Sequence, residues 1–131
     1  MYVLDTNTLI YFFKGVGKVA ERLLGTPPKE IGIPSLVVYE LEVGIAKSTS
    51  PEKRTAQLAD LLSLVNVLPF GLQDARFAAQ IRVALEKQGQ PIGPFDTLIA
   101  ATALTNQAVL VTHNLKEFGK VGQLKCEDWF S

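Results

Sequence analysis

The chain has 131 residues, 47% hydrophobic and 20% charged, which is near the soluble globular average and long enough for one domain with its own core. Thirteen basic and thirteen acidic residues leave a formal net charge of 0, which argues against a broadly basic nucleic-acid binder; a nucleic-acid role is permitted by charge but not indicated by it. One cysteine excludes an internal disulfide, no apolar run approaches the ~18 residues that cross a bilayer, and the N-terminus lacks a secretory pattern, so a reducing cytoplasm is the expected setting.

Residues 1–4 are apolar and end at Asp5, which predicts a short buried strand; Thr6 or Asn7 is placed to cap a helix running to about Phe13. Gly15 and Gly17 break that helix, and a second short helix over 19–24 stops before Gly25, Pro27 and Pro28. Ile31-Gly32-Ile33 reads as a strand closed by Pro34, after which Ser35 caps a helix ending near Ser48. Ser50 and Pro51 suit the cap and first position of the next helix, to about Leu64, and Val67-Leu68 is a short strand. The clearest amphipathic helix covers 72–88, with Ala75, Ala78, Ala79, Arg82 and Leu85 at helical spacing and Gly89 as its stop. A rigid Pro91-Ile92-Gly93-Pro94 loop leads into a helix over 95–107 with Asp96 in its first turn. Val109-Leu110-Val111 is a strand, Thr112-His113-Asn114 the loop after it, and a last short strand falls within 124–129.

With no repeat, linker or low-complexity run, the expectation is a single α/β domain over residues 1–131, with a parallel sheet between helices. In such sheets sites form beyond the carboxyl ends of the strands, where the strand order reverses, and Asp5 and Asn114 both lie at strand ends.

Three acids stand in apolar company: Asp5, Glu40 and Asp96. A carboxylate away from water costs several kcal/mol, of order 3 or more, unless it is paired, protonated or bound to metal. A divalent ion satisfies several at once, and hard oxygen donors suit Mg²⁺ or Mn²⁺. Singly, each has a plainer reading. Asp5 closes a strand and caps a helix, Asp96 complements a helix dipole, and Glu40 is a half-exposed helix residue that spacing alone does not separate from Glu42. The set favours a site.

Other candidates carry less. His113 is the only histidine, which excludes a multi-histidine zinc site. Cys126 has no catalytic pattern around it and reads as inert. Lys14, Lys18 and Arg22 fall four apart and share a face if their helices align; Lys116 and Lys120 have the same spacing. These are solvated charges or phosphate contacts.

At these residues the sequence resembles the PIN-domain family, and within it the VapC-type toxins of bacterial and archaeal toxin–antitoxin pairs. The resemblance covers essentially the whole chain. It rests on Asp5 with Thr6, Asn7 and Leu9; on Glu40-Leu41 with Gly44; on Ile92-Gly93-Pro94-Phe95-Asp96 with Leu98-Ile99-Ala100-Ala101; and on Val111-Thr112-His113-Asn114 with Glu117-Phe118. The ending Cys126-Glu127-Asp128-Trp129 is similar to the family's finish. The resemblance implies a three-layer α/β/α sandwich with a short, mainly parallel central sheet of four or five strands. It selects Glu40 over Glu42. It also implies metal-assisted hydrolysis of RNA, in tRNA or another structured RNA, to 5′-phosphate and 3′-hydroxyl ends, with Mg²⁺ (or Mn²⁺) held by Asp5 and Asp96 and with Glu40 beside them. Thr6, Asn7, Thr112 and Asn114 would orient carboxylates or substrate. From the residues themselves, Lys14, Lys18, Arg22, His113 and Lys116 are candidate RNA contacts, with exposed, solvated side chains as their plainer reading. Many relatives carry aspartate where Asn114 stands, so a second metal loses a charged ligand. A cognate VapB-type antitoxin, a homodimer and a larger heteromer with the antitoxin are implied, and no membrane. The apolar helices over 35–48 and 72–88 are candidate interfaces.

Two alternatives differ in class. A haloacid-dehalogenase-like phosphatase also begins with a strand ending in aspartate, but it needs an acid two residues on, where this chain has Asn7. A silent PIN-like module that binds protein or RNA is at odds with three retained acids.

Overall fold

The computed structural model describes all 131 residues. Five short strands, β1 (Tyr2–Leu4), β2 (Ile31–Pro34), β3 (Asn66–Leu68), β4 (Val109–Val111) and β5 (Cys126–Glu127), form one sheet in the order β3-β2-β1-β4-β5. Every pairing is parallel. Parallel strands are covered on both faces, so their side chains are apolar without alternation. Val3 and Leu4 in β1, and Leu110 and Val111 in β4, are all fully buried although neighbours point to opposite faces. Burying each such side chain is worth about 1.5–3 kcal/mol against exposure.

The helices are α1 (Thr6–Lys14), α2 (Val19–Leu24), α3 (Ser35–Ala46), α4 (Pro51–Leu62), α5 (Leu72–Lys87), α6 (Pro94–Thr105) and α7 (Leu115–Phe118). α5 packs along α6, and α3 meets α1, α4 and α6. The expected α/β/α sandwich forms, with the larger of the two strand counts and no antiparallel strand.

Several local expectations change. The cap of α1 is Asp5, not Thr6 or Asn7: Asp5 keeps an extended backbone and its Oδ1 accepts from Thr8 N at 3.0 Å. Pro34, rather than Ser35, precedes α3, because β2 pairs as far as Pro34 with Leu68 and leaves no spare residue. Ser50 precedes α4 without a side-chain cap bond, and α4 ends at Leu62. On α5 the buried stripe is Asp74, Ala78, Ile81 and Leu85, not the stripe expected from Ala75, Ala79 and Arg82. The reason is Asp74, which accepts from Gly71 N at 2.8 Å and from the Thr105 hydroxyl on α6, and so rotates that face inward. α7 was not expected at all; it is one turn long, below the length that periodicity detects.

Candidate active site at the carboxyl edge of the sheet

β1 is the strand from which the order runs one way to β2 and β3 and the other way to β4 and β5. Its carboxyl end is therefore the switch point, and Asp5 is the first residue beyond it. Asp5 N–H donates to Val111 O at 3.2 Å, and the Thr8 hydroxyl donates to the same oxygen at 3.1 Å. These bonds pin the end of β1 to the end of β4. Asp5 is only 5% exposed, and the helix cap occupies one of its two carboxylate oxygens.

Glu40 comes to the same edge from α3, half-buried, whereas Glu42 is exposed. The Thr6 hydroxyl donates to Glu40 Oε1 at 2.5 Å. Asp96 enters from the first turn of α6, also half-buried. Burial above all, then the charges of Asp5, Glu40 and Glu117, hold the Asp96 carboxyl above the usual carboxylate range. The three expected acids therefore act on one another.

Glu117 is the residue that sequence reasoning missed. It lies in α7, and its charge reaches Asp96. The available signal was its place three residues after Asn114, directly beyond a strand end.

No cation pairs with Asp5, Glu40 or Asp96, although Glu117 is paired with Lys120 at 3.3 Å. The chain has ion pairs at Arg22–Glu127, Arg82–Glu86, His113–Asp128 and Lys120–Glu117, and none involves Asp5, Glu40 or Asp96. Neither do any three His, Cys, Asp or Glu side chains close into a ready-made metal cage. The donor set is nonetheless hard oxygen with surplus negative charge, which fits a divalent ion that keeps several waters.

The remaining candidates divide. Thr112 is fully buried, and its hydroxyl oxygen accepts from Asn114 N at 2.9 Å, so it shapes its own loop and makes no hydrogen bond to a carboxylate. Asn114 is exposed and precedes α7 without a side-chain cap bond; Asn7 is exposed on α1. Lys14, Lys18 and Arg22 do not share one helix face, because Gly15 ends α1 in the left-handed region and Lys18 precedes α2. Arg22 reaches Glu127 at 3.4 Å and lies over the Trp129 ring at 5.4 Å. Lys14 instead lines a groove of about 300 Å³ with Glu40, Phe13, Leu41 and Arg54. Lys116 is exposed on α7. Cys126 fits its inert reading: burial, and then the Asp5 charge, push its thiol up.

Comparison with known proteins gives a consistent picture. A family model described as PIN domain matches residues 2–124. The chain is 35% identical over 128 residues to the tRNA(fMet)-specific endonuclease VapC of Shigella flexneri, covering 98% of this chain and 97% of that protein. It is 38% identical over 131 residues to Ribonuclease VapC1 of Haemophilus influenzae strain R2866, covering 98% of each. Among solved structures, VapBC2 from Rickettsia felis bound to a DNA fragment from its promoter superposes with a TM-score of 0.90 at 33% identity, covering 98% of both chains.

Proposed function

Since the chain belongs to the PIN-domain family, we propose that it is a metal-dependent endoribonuclease of the VapC kind, cleaving RNA until a VapB-type antitoxin neutralises it. The observation that carries this reading is Asp96, pressed above its ordinary range by burial and by the charges of Asp5, Glu40 and Glu117, while Asp5, Glu40 and Asp96 themselves have no pairing cation. Such a group is stable near neutral pH when a positive ion sits among its oxygens.

Asp5 and Asp96 are the ligands we assign, with Mg²⁺ as the ion and Mn²⁺ as its substitute. When bound, the ion supplies Lewis-acid polarisation of the phosphodiester and eases ionisation of water. Glu40, oriented by the Thr6 hydroxyl, accepts the proton of the attacking water as the new phosphorus–oxygen bond forms and the bond to the leaving 3′-oxygen breaks. The leaving oxygen takes a proton from solvent, giving 3′-hydroxyl and 5′-phosphate ends. Glu117 supplies the fourth acidic charge that Asn114 does not. Lys14 and Arg54, in the groove beside Glu40, hold phosphates of the strand, and Lys116, exposed on α7, is a further candidate contact.

A structured RNA such as tRNA is the substrate class, by likeness to the Shigella relative. A homodimer would use the α3 face. There Tyr39, 59% exposed, packs in a tilted arrangement against Phe95 of α6 with ring centroids 5.7 Å apart, and Val43 is exposed on the same helix. No helix is long and apolar enough to cross a membrane, and the cytoplasm is the setting we assign. The test is RNA cleavage with Mg²⁺ present and chelated, with the product ends mapped.

A further inference from the structure

His113 is the chain's only histidine, and it is held from two sides. Its Nδ1 lies 2.8 Å from Asp128 Oδ2. Its ring stacks on Phe130 with centroids 4.3 Å apart, and Tyr11 of α1 meets it edge-on at 5.9 Å. The partners are fixed in turn. Asp128 Oδ1 accepts from Phe130 N at 2.9 Å, and Phe130 O accepts from Lys18 N at 2.9 Å. Gly17, at φ +67°, permits that approach: a Cβ there would lie 2.7 Å from the Phe130 carbonyl oxygen.

Ordering a surface side chain this way costs conformational entropy, yet 42% of the His113 side chain stays exposed. With Nδ1 engaged by Asp128, the nitrogen left to act is Nε2. His113 lies in the loop that leaves the carboxyl edge of the sheet, two residues beyond the end of β4. His113 follows the β4 end to which Asp5 is bonded, and it precedes α7, whose Glu117 charge reaches Asp96. Tyr11, against which the ring packs, is six residues beyond Asp5, about 9 Å along the helix axis.

We propose, resting on the ribonuclease reading above, that His113 Nε2 holds a non-bridging phosphate oxygen of the RNA strand beside the cleaved bond, with Asp128 as its positioning residue. In that complex the ring has an acceptor on each side, the Asp128 carboxylate and the phosphate, so it carries both protons and a positive charge. The contact serves binding, so it acts on KM rather than kcat.

One histidine gives one imidazole signal, which makes the test direct. The Asp96→Asn protein is titrated with unfractionated transfer RNA, saturation is followed by fluorescence anisotropy, and the ring nitrogens are followed by ¹⁵N NMR. At RNA saturation the Nε2 resonance should be that of a protonated nitrogen donating a hydrogen bond. In cleavage assays of otherwise unaltered protein, His113→Gln should raise KM about tenfold with kcat within about twofold, and Asp128→Asn should raise KM by less. An Nε2 that carries no proton at RNA saturation overturns the contact and leaves the ribonuclease reading standing. An unchanged KM in Asp128→Asn overturns the positioning role. Absence of RNA cleavage by the unaltered protein with Mg²⁺ overturns both readings.

Discussion

The Thr6 hydroxyl donates to Glu40 Oε1 at 2.5 Å, joining residues 34 positions apart in the chain. Thr6 is the first residue of α1 and Glu40 lies in the middle of α3, so one bond sets the angle at which the glutamate meets the site. Thr6→Val keeps the shape and removes the donor. The expected result is a roughly tenfold lower kcat for RNA cleavage, with stability down by about 1 kcal/mol in urea unfolding; Thr6→Ser should restore most of the rate.

Asp96 gives the fold a pH dependence of definite sign. Its carboxyl is raised in the folded protein and ordinary, near ~3.9, in the unfolded chain. Above both values the folded state holds a charged group against burial and three like charges, so stability is lost as pH rises through the raised value. Below about pH 4 both states are protonated and the penalty is gone. In chelator, Asp96→Asn should therefore melt above the unaltered protein at pH 7, and the gap should close as pH falls toward 4. Thermal unfolding across that range checks it. A gap that widens toward acid would mean the carboxyl is depressed instead.

Asp5 has two duties that substitution can separate. Asparagine caps a helix about as well as aspartate, whereas alanine does not cap. Asp5→Asn should keep the apo melting temperature within a degree or two, roughly ±0.5 kcal/mol, and Asp5→Ala should lose about 1 kcal/mol. Mn²⁺ at about a hundred times its Kd should stabilise the unaltered protein by ~2.7 kcal/mol and do far less for either variant. Calorimetry with and without Mn²⁺ reads both effects.

Asp74 tests the fold apart from the site. It is buried, and its two oxygens accept from Gly71 N and from the Thr105 hydroxyl, which tie α5 to α6. Asp74→Ala leaves both donors without this partner. The expected cost is about 2–3 kcal/mol in denaturant unfolding, with kcat little changed wherever the variant is folded.

The architecture was legible because most strands are short apolar runs ended by a turn residue or an acid, and most of the helices between them exceed two turns. The acids stood out because Asp5, Glu40 and Asp96 interrupt apolar segments; each alone has an ordinary structural explanation, and the set is what points to a site. Glu117 escaped because it sits in a polar stretch where a glutamate is ordinary; only the one-turn α7 makes it a neighbour of Asp96. Asp74 escaped because a helix's third residue looks exposed by composition, and its burial depends on Thr105, 31 positions away. The basic residues misled because a four-residue spacing was carried across Gly15 and Gly17, where the chain takes left-handed turns. The clamp on His113 comes from Asp128 and Phe130, fifteen or more positions on, beyond any local pattern.

The most direct test is the rate of RNA cleavage by the unaltered protein and by Asp96→Asn, each with Mg²⁺ and with chelator, at matched folded fraction. The unaltered protein should cleave only with the metal, leaving 5′-phosphate and 3′-hydroxyl ends, and Asp96→Asn should be slower by about a hundredfold or more. Equal rates for the two proteins with Mg²⁺ present would contradict the assignment of the acid cluster as the catalytic centre.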